Sequence, residues 1–167
     1  MSVQEHKPKI LIVEDDEAIL NVLSLFLSYA HFEVRGARSG KEAMELVPSF
    51  GPQLIVLDLN MRPISGWEVL HWLRASKLSP PIRVLVLTAS TRLSEQVRGL
   101  EEGAVDYLTK PTQPSVLVER IRSILAMSDE ALLSLLQKRL QQQRRVLEQL
   151  VQASKDEKMN VSIIKTC

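Results

Sequence analysis

The segment LIVLD at residues 54–58 consists of four apolar residues followed directly by an acid, Asp58. A second apolar run, ILIV at residues 10–13, leads into the acidic cluster Glu14-Asp15-Asp16. Short continuous apolar runs are typical of strands that are buried on both faces of a parallel sheet. The carboxyl ends of such strands meet at one edge, where α/β proteins place their chemistry. We therefore expect these acids to lie together at that edge.

Two further strand-like runs end in polar residues of other kinds. Residues 82–87 run into Thr88, and residues 105–108 lead through Thr109 to Lys110. Acids, a hydroxyl and a lysine on one edge suit a site that binds a cation and a phosphoryl group. A single strand-end acid or lysine is more often a turn or surface residue, so the prediction depends on their joint placement.

Helical patterns separate the strands. Apolar residues recur at helical spacing over residues 17–30, and Ser39 and Ser94 are candidate N-caps. Pro48, Gly51 and Pro52 are expected to separate the second helix from the third strand. Five strands alternating with five helices predict an α/β fold, a parallel sheet covered on both faces. Residues 33–37 are less apolar and suggest an edge strand. The order of the strands cannot be read from periodicity.

The composition changes after Ala126. Residues 128–130 are expected either to cap a new helix or to punctuate a continuous one, and residues 131–153 contain neither Gly nor Pro. Heptad a and d positions are occupied, with one polar exception, by Leu133, Leu136, Leu140, Gln143, Leu147 and Leu150. This short repeat leaves two alternatives open, a coiled coil or a helix packed back on its own domain. Residues 161–164 suggest a frayed end or a stub of something larger.

The composition is that of a soluble cytoplasmic protein. The chain has 167 residues, 45% of them hydrophobic and 25% charged, and its formal net charge is +1. This balance argues against a general attraction to nucleic acid or to a membrane surface, and no apolar run reaches the roughly 20 residues that span a bilayer. We predict a disordered N-terminus over residues 1–8, a domain over residues 9–127 and a helical tail over residues 128–167.

The acids are candidate ligands of Mg²⁺, which prefers hard oxygen donors and keeps several waters. Asp15 and Asp58 are expected to bind the metal directly, and Glu14 to hold a metal-bound water. The backbone carbonyl of Asn60, two residues past Asp58, would complete the shell. A divalent cation at this point would remove the repulsion between a carboxylate nucleophile and a phosphoryl donor.

The remaining polar residues of the edge would act on the phosphoryl group itself. Lys110 supplies a fixed positive charge, and Thr88 offers a hydroxyl donor to a phosphoryl oxygen. The small side chain of Ala89 leaves room for a donor to approach Asp58 in line. These predictions make Asp58, Thr88 and Lys110 the candidate catalytic residues.

The motifs together resemble those of the receiver domain of bacterial two-component response regulators, over residues 9 to about 127. The matching segments are VEDD at residues 13–16, DLNM at residues 58–61 with Gly66, LTA at residues 87–89 and YLTKP at residues 107–111. The resemblance implies a flavodoxin-like, doubly wound, five-stranded sheet of order 2-1-3-4-5 with five helices, here followed by an extended C-terminal helix.

The resemblance also implies roles for single residues. Asp58 matches the phosphoacceptor, Glu14 and Asp15 the acidic pair, and Lys110 the family lysine. The switch residues would be Thr88 and Tyr107, and the proline that follows a cis peptide bond would be Pro111. One departure is visible, because Arg62 stands where the family usually has proline and Pro63 follows one position later.

The implied function is acceptance of a phosphoryl group from a histidine kinase or a histidine phosphotransfer protein. The chain would not be an enzyme beyond catalysing its own Mg²⁺-dependent phosphorylation and dephosphorylation. Phosphorylation would then change its conformation or assembly, with a homodimer formed through the tail or through the face of the fourth and fifth helices.

Three other functions are alternatives to this one. A transcription regulator could act on DNA through the tail or a partner, but the basic residues of the tail are interrupted by acids and glutamines, and nucleic acid binding is not favoured. In an enzyme-linked regulator the tail would be the signalling helix of an effector domain that was lost or lies on another chain. An aspartyl phosphatase would need an acid two residues past Asp58, where Asn60 stands.

Overall fold

The sheet consists of five parallel strands in the order β2-β1-β3-β4-β5, which confirms the order that the resemblance implied. The computed structural model describes residues 5–165, so part of the expected disordered N-terminus lies outside the described residues. The strands are β1 (Lys9–Val13), β2 (Glu33–Ala37), β3 (Leu54–Leu57), β4 (Arg83–Thr88) and β5 (Asp106–Thr109). The less apolar β2 lies at an edge, as its sequence suggests.

Helices follow the strands in alternation, as the sequence predicts, and within residues 5–165 one more helix follows the fifth. They are α1 (Glu17–Tyr29), α2 (Gly40–Phe50), α3 (Gly66–Ser76), α4 (Leu93–Glu101), α5 (Pro114–Ala126) and α6 (Asp129–Lys165). None of the helices in the described residues combines the length and the apolarity needed to cross a membrane.

The core lies in two layers, one on each face of the sheet. Side chains alternate between the faces along a strand, so Ile10 and Ile12 of β1 pack with α1 and α5, whereas Leu11 and Val13 pack with α2 and α3. All four are at most 1% exposed. Burial on both faces explains why the central strands are continuously apolar.

The ends of α2 and α4 can be compared with two local predictions. Of the residues expected to separate the second helix from β3, Pro48 lies inside α2, which runs to the buried Phe50, and Gly51 closes the helix with a φ of 64° in the left-handed region. Ser94 is not a cap, because α4 starts one residue earlier and the N–H groups of its first turn bond to the carbonyl of Arg92.

The tail begins as a separate helix. The Ser128 hydroxyl accepts a hydrogen bond from the N–H of Ala131 at 3.1 Å, which caps α6 at its start. Leu132 is 7% exposed and joins the core, and Leu136 packs against it. The first half of α6 is therefore folded back on its own domain, against α4 and β5, and the helix continues through the segment where the sequence suggested a frayed end.

Candidate functional site

The polar ends of four strands meet at one edge of the sheet. Glu14 directly follows β1, and Asp58 directly follows β3. Thr88 is the last residue of β4, and Lys110 directly follows β5. The N–H of Asp58 donates to the carbonyl of Val13 at 3.0 Å, which extends the pairing of β1 and β3 by one residue and holds the two acids side by side.

Three carboxylates form an acidic pocket at this edge. Oxygen atoms of Glu14, Asp15 and Asp58 lie within 4.8 Å of one another. Glu14 is 3% exposed and Asp58 is 6% exposed, whereas Asp15 faces solvent. A set of hard oxygen donors that is open on one side fits Mg²⁺ with retained waters. The fourth acid, Asp16, serves a different purpose, because its side chain caps α1 by accepting from the N–H of Ile19.

Lys110 lies between the two buried acids. Its Nζ donates to Glu14 Oε2 and, at 3.3 Å, to Asp58 Oδ2. The peptide bond between Lys110 and Pro111 is cis, as the resemblance implied. The N–H of Lys110 also donates to the carbonyl of Thr88 at 2.8 Å, so the lysine is positioned by the last bond between β4 and β5.

The buried acids and the lysine perturb one another. Burial raises the pKa of Glu14, and the charge of Asp58 adds to this effect, against the lowering by the hydrogen bond from Lys110. Burial acts to lower the pKa of Lys110, but its hydrogen bond to Glu14 and the negative charges of both acids outweigh burial and raise it. Two buried carboxylates thus share the single ammonium group of Lys110. When both acids are ionised, the site carries an excess negative charge that a metal ion would neutralise.

Asn60 contacts two of the candidate residues. Its backbone N–H donates to Asp58 Oδ1 at 3.1 Å, and its Nδ2 donates to Thr88 Oγ1 at 2.8 Å. The second bond was not anticipated from the sequence, which pointed only to the Asn60 carbonyl as a metal ligand. Thr88 is 0% exposed, and as an acceptor from Asn60 it keeps its own O–H to donate elsewhere.

The loop after Asp58 is closed by Gly66. A Cβ atom at this position would lie 2.2 Å from the carbonyl oxygen of Asp58 and 2.6 Å from Cα of Leu59. Only glycine permits this approach, which brings the start of α3 against the backbone of Asp58 and Leu59. The shifted proline of the loop follows a cis bond between Arg62 and Pro63.

Tyr107 lies between the site and α4. Its ring is half-buried, and a Cβ atom at Gly99 of α4 would come within 3.5 Å of it. Its hydroxyl donates to the carbonyl of Ser90 at 3.4 Å. Burial, with the nearby charge of Glu95, raises the pKa of the phenol, so the ring is neutral at physiological pH.

Sequence reasoning missed Asp106, the residue before Tyr107. Its side chain is 8% exposed, accepts a hydrogen bond from Arg120 Nη1 of α5 at 2.6 Å and forms an ion pair with Arg139 Nη1 of α6 at 2.9 Å. An acid at the start of an otherwise apolar strand was the available signal, because a buried carboxylate needs partners. The partners themselves come from helices that the sequence alone does not place.

Comparison with known proteins agrees with this geometry. The family model of the response regulator receiver domain matches residues 10–122. The DNA-binding dual master transcriptional regulator RpaA of Synechocystis sp. is 36% identical over 122 residues, and the cell cycle response regulator CtrA of Brucella ovis is 39% identical over 120 residues. These matches cover 73% and 72% of this chain, but the chain spans about half the length of both relatives, 51% in each case.

Solved structures match a similar share of the chain. The receiver domain of the Francisella response regulator 1452 is 29% identical with a TM-score of 0.66, covering 70% of this chain and 94% of that one. The chemotaxis protein CheY4 of Vibrio cholerae is 28% identical with a TM-score of 0.67, covering 70% of this chain and 98% of that one. With its sheet order, its edge residues and the family match over residues 10–122, the chain belongs to the response regulator receiver domain family.

Proposed function

We propose that this chain accepts a phosphoryl group on the Asp58 carboxylate from the phosphohistidine of a histidine kinase or a histidine phosphotransfer protein. The observation that carries the proposal is the acidic pocket, in which buried Glu14 and Asp58 share the ammonium of Lys110 beside exposed Asp15. Family membership supports a kinase or phosphotransfer partner. A function in the cytoplasm is part of the proposal.

The transfer needs a nucleophile and groups that stabilise charge. An Asp58 oxygen attacks phosphorus in line, the O–P bond forms as the N–P bond breaks, and the electron pair of that bond stays on the histidine nitrogen. Lys110 binds a phosphoryl oxygen, and the Thr88 hydroxyl, held by Asn60, donates to another. Mg²⁺ held by Glu14, Asp15 and Asp58 would neutralise the negative charge that gathers at the site.

The donor has an apolar surface to dock on beside Lys110. Ile19 and Val22 of α1 are 36% and 50% exposed, and together with Pro111 and Pro114 they line a shallow apolar depression next to the lysine. Exposed apolar patches next to a reactive group mark contacts with another protein. This surface suits a helical partner that presents its phosphohistidine toward Asp58.

The output is proposed to run through Thr88 and Tyr107 to α6. A phosphoryl oxygen that binds the Thr88 hydroxyl changes the environment beside Tyr107, which lies under α4. The adjacent Asp106 forms an ion pair with Arg139 of α6. Movement of Tyr107 therefore reaches a helix that covers the face formed by α4 and β5, and this is how phosphorylation would change conformation or assembly.

A second candidate function is transcription control, which the printed names of RpaA and CtrA suggest for those relatives. Direct DNA binding by α6 has little support, because Arg139 and Arg144 are already paired with Asp106 and Glu101. The alternative is then action on DNA through a partner. The expectation that the chain itself avoids nucleic acid stays a prediction.

The proposal is tested by incubating the full chain with acetyl phosphate and Mg²⁺ and measuring the intact mass. We expect one phosphoryl group per chain, lost on treatment with hydroxylamine, which cleaves acyl phosphates. Asp58→Asn should take up none, and Asp129→Asn, which changes an exposed acid far from the edge, should behave as the wild type. Phosphorylation of Asp58→Asn at the wild-type rate would contradict the assignment.

A further inference from the structure

The second half of α6 has no cover from its own domain. Leu147 is half-buried, and every side chain described after it, from residue 148 to residue 164, is exposed. This stretch includes Leu150, Val161 and Ile164, which are 58%, 52% and 76% exposed. Most of the stability of helices in proteins comes from packing an apolar face, and the domain gives this stretch no such packing. The exposed half therefore calls for a partner.

The uncovered face of the second half of α6 continues the face with which the first half packs on the domain. Among the α6 residues that are buried or half-buried on the domain, one set recurs every three or four residues, namely Leu132, Leu136, Leu140, Gln143 and Leu147. Extending this spacing along the helix gives Leu150, Ser154, Glu157, Val161 and Ile164. One stripe thus runs the length of α6, covered by the domain in its first half and open in its second.

We propose that residues 147–164 of α6 pair with the same segment of a second copy of this chain, with the two helices antiparallel. In this register Leu147 faces Ile164 of the second copy, and Leu150 faces Val161 of the second copy. Two apolar layers at each end then enclose a short polar centre. The register follows from the a and d positions of the stripe, which face each other in antiparallel helix pairs.

The charges of the stripe decide the direction. In a parallel pair, Glu157 would face Glu157 of the second copy at a d position, where two like charges are brought together away from water. In the antiparallel pair, Glu157 faces Ser154 of the second copy and has Lys158 of the second copy one turn away. The contact of Glu157 with Ser154 and Lys158 occurs twice in the symmetric dimer. It replaces the repulsion between two glutamates by an attraction between glutamate and lysine.

The length of the open stripe matches the antiparallel register as well. Ile164 of one copy reaches Leu147 of the other, which is the last residue that the domain half-buries. Each helix would therefore be covered along its whole described length, first by its own domain and then by the second copy. The two domains would lie at opposite ends of the pair and would not compete for the same surface.

The proposal is tested by measuring the mass of the full chain in solution by light scattering. We expect a dimer for the wild type and a monomer for Leu150→Glu and for Val161→Glu. The matched control is Met159→Glu, which makes the same apolar-to-acid change at a residue 64% exposed on the opposite face, and which should remain a dimer. Glutamate is a good helix former, so these variants keep the helix.

Direction is tested by disulfide trapping in a Cys167→Ser background. A mixture of Leu150→Cys and Val161→Cys chains should give a disulfide between unlike chains, and Leu150→Cys alone should give none between like chains. A monomeric wild type, a dimer that Leu150→Glu leaves intact, or ready trapping of Leu150→Cys alone would overturn the proposal. Asp58→Asn should still form the dimer, so the outcome is independent of phosphoryl transfer.

Discussion

Arg139 of α6 forms an ion pair with Asp106 of β5, with Nη1 and Oδ1 2.9 Å apart, although the two residues are 33 positions apart in the sequence. Asp106 directly precedes Tyr107, whose own N–H bonds to the same carboxylate at 2.8 Å. A single acid therefore links the proposed switch tyrosine to the C-terminal helix. No shorter connection is needed for a change at the phosphoryl site to alter the packing of α6.

Removing this link should loosen α6 while the domain stays folded. Arg139→Ala leaves Asp106 paired with Arg120, so the buried carboxylate still has a cationic partner. The Arg139 side chain is 36% exposed, and such pairs are worth up to about 1 kcal/mol, which corresponds to roughly fivefold in an opening equilibrium. Hydrogen exchange should accelerate by about that factor in the first half of α6.

The control for this experiment is Lys138→Ala, which removes an exposed charge one residue away. Exchange in α6 should be unchanged in that variant. Equal exchange in Arg139→Ala and the wild type would mean that apolar packing alone, from Leu132 and Leu136, holds the helix on the domain.

Mg²⁺ should stabilise the protein more at neutral than at mildly acidic pH. The pKa of Glu14 is raised, chiefly by burial, so its stabilising contribution is complete below the unfolded pKa and is lost as the pH rises through the folded value. Mg²⁺ restores that loss by binding the ionised acid. At ten times its dissociation constant the gain is about 1.4 kcal/mol, or about 3 to 6 °C in Tm.

The measurement is thermal unfolding with and without Mg²⁺ at about pH 7.5 and at about pH 5.5. These values are about three units and about one unit above the ordinary glutamate pKa, and the increase in Tm with Mg²⁺ should be larger at the higher pH. Glu14→Gln should remove most of the pH dependence of the Mg²⁺ effect, and the exposed Glu45→Gln should keep it. An Mg²⁺ effect that is the same at both pH values in the wild type would show that Glu14 is not protonated in competition with the metal.

The sheet could be predicted from the sequence because each strand is marked by a pattern within a few consecutive residues. Apolar runs that end in acids mark buried parallel strands, and the same feature placed Glu14 and Asp58 at one edge. Helix ends were harder, since Pro48 is tolerated within α2 where the buried Phe50 holds the last turn against the core. That contact is tertiary and leaves no mark on the local pattern.

Contacts between distant segments could not be predicted for the same reason. The alternatives for the tail, a coiled coil or a helix packed back, use the same heptad, and only the placement of α4 decides between them over the first half. Gln143, the polar exception in the repeat, is explained once its Nε2 is seen to donate to Gln96 Oε1 of α4 at 3.4 Å. The roles of Asp106 and Arg139 depend on the same placement.

Lys110→Met should destabilise the apo protein and do so less in acid. The substitution leaves Glu14 and Asp58, both buried, without their shared cation, and breaking a buried pair costs about 3 to 5 kcal/mol. With the lysine gone, the pKa of Glu14 should rise further, so protonation relieves the repulsion as the pH falls. Urea unfolding at neutral and at acidic pH measures the loss of stability at each pH. The control is Lys41→Met, which removes an exposed lysine of α2.

An Lys110→Met variant whose stability deficit is constant with pH would contradict this account, because the deficit would then reflect packing and not charge. Added Mg²⁺ supplies a second check. It should recover part of the lost stability in Lys110→Met, since a cation returns to the two acids, and it should do so less in a variant that also carries Asp15→Asn.

Thr88→Val should separate phosphorylation from output. Valine has nearly the shape of threonine and fits the fully buried site, but it removes both the acceptor for Asn60 Nδ2 and the hydroxyl that would bind a phosphoryl oxygen. The Asp58 carboxylate and Lys110 are untouched, so acetyl phosphate should still label Asp58. The cost in stability should be about 0.5 to 1.5 kcal/mol, the net contribution of one hydrogen bond, because Asn60 is exposed and its amide can bind water instead.

The readout of output is hydrogen exchange in the first half of α6, before and after phosphorylation. In the wild type we expect a change in exchange on phosphorylation, because the Thr88 hydroxyl moves with the phosphoryl group and Tyr107 follows. In Thr88→Val the change should be absent although Asp58 is labelled, and Thr91→Val, at an exposed position in the loop after β4, should respond as the wild type does. An unaltered α6 response in labelled Thr88→Val would mean that the signal reaches α6 without Thr88, through the loop that carries Asn60.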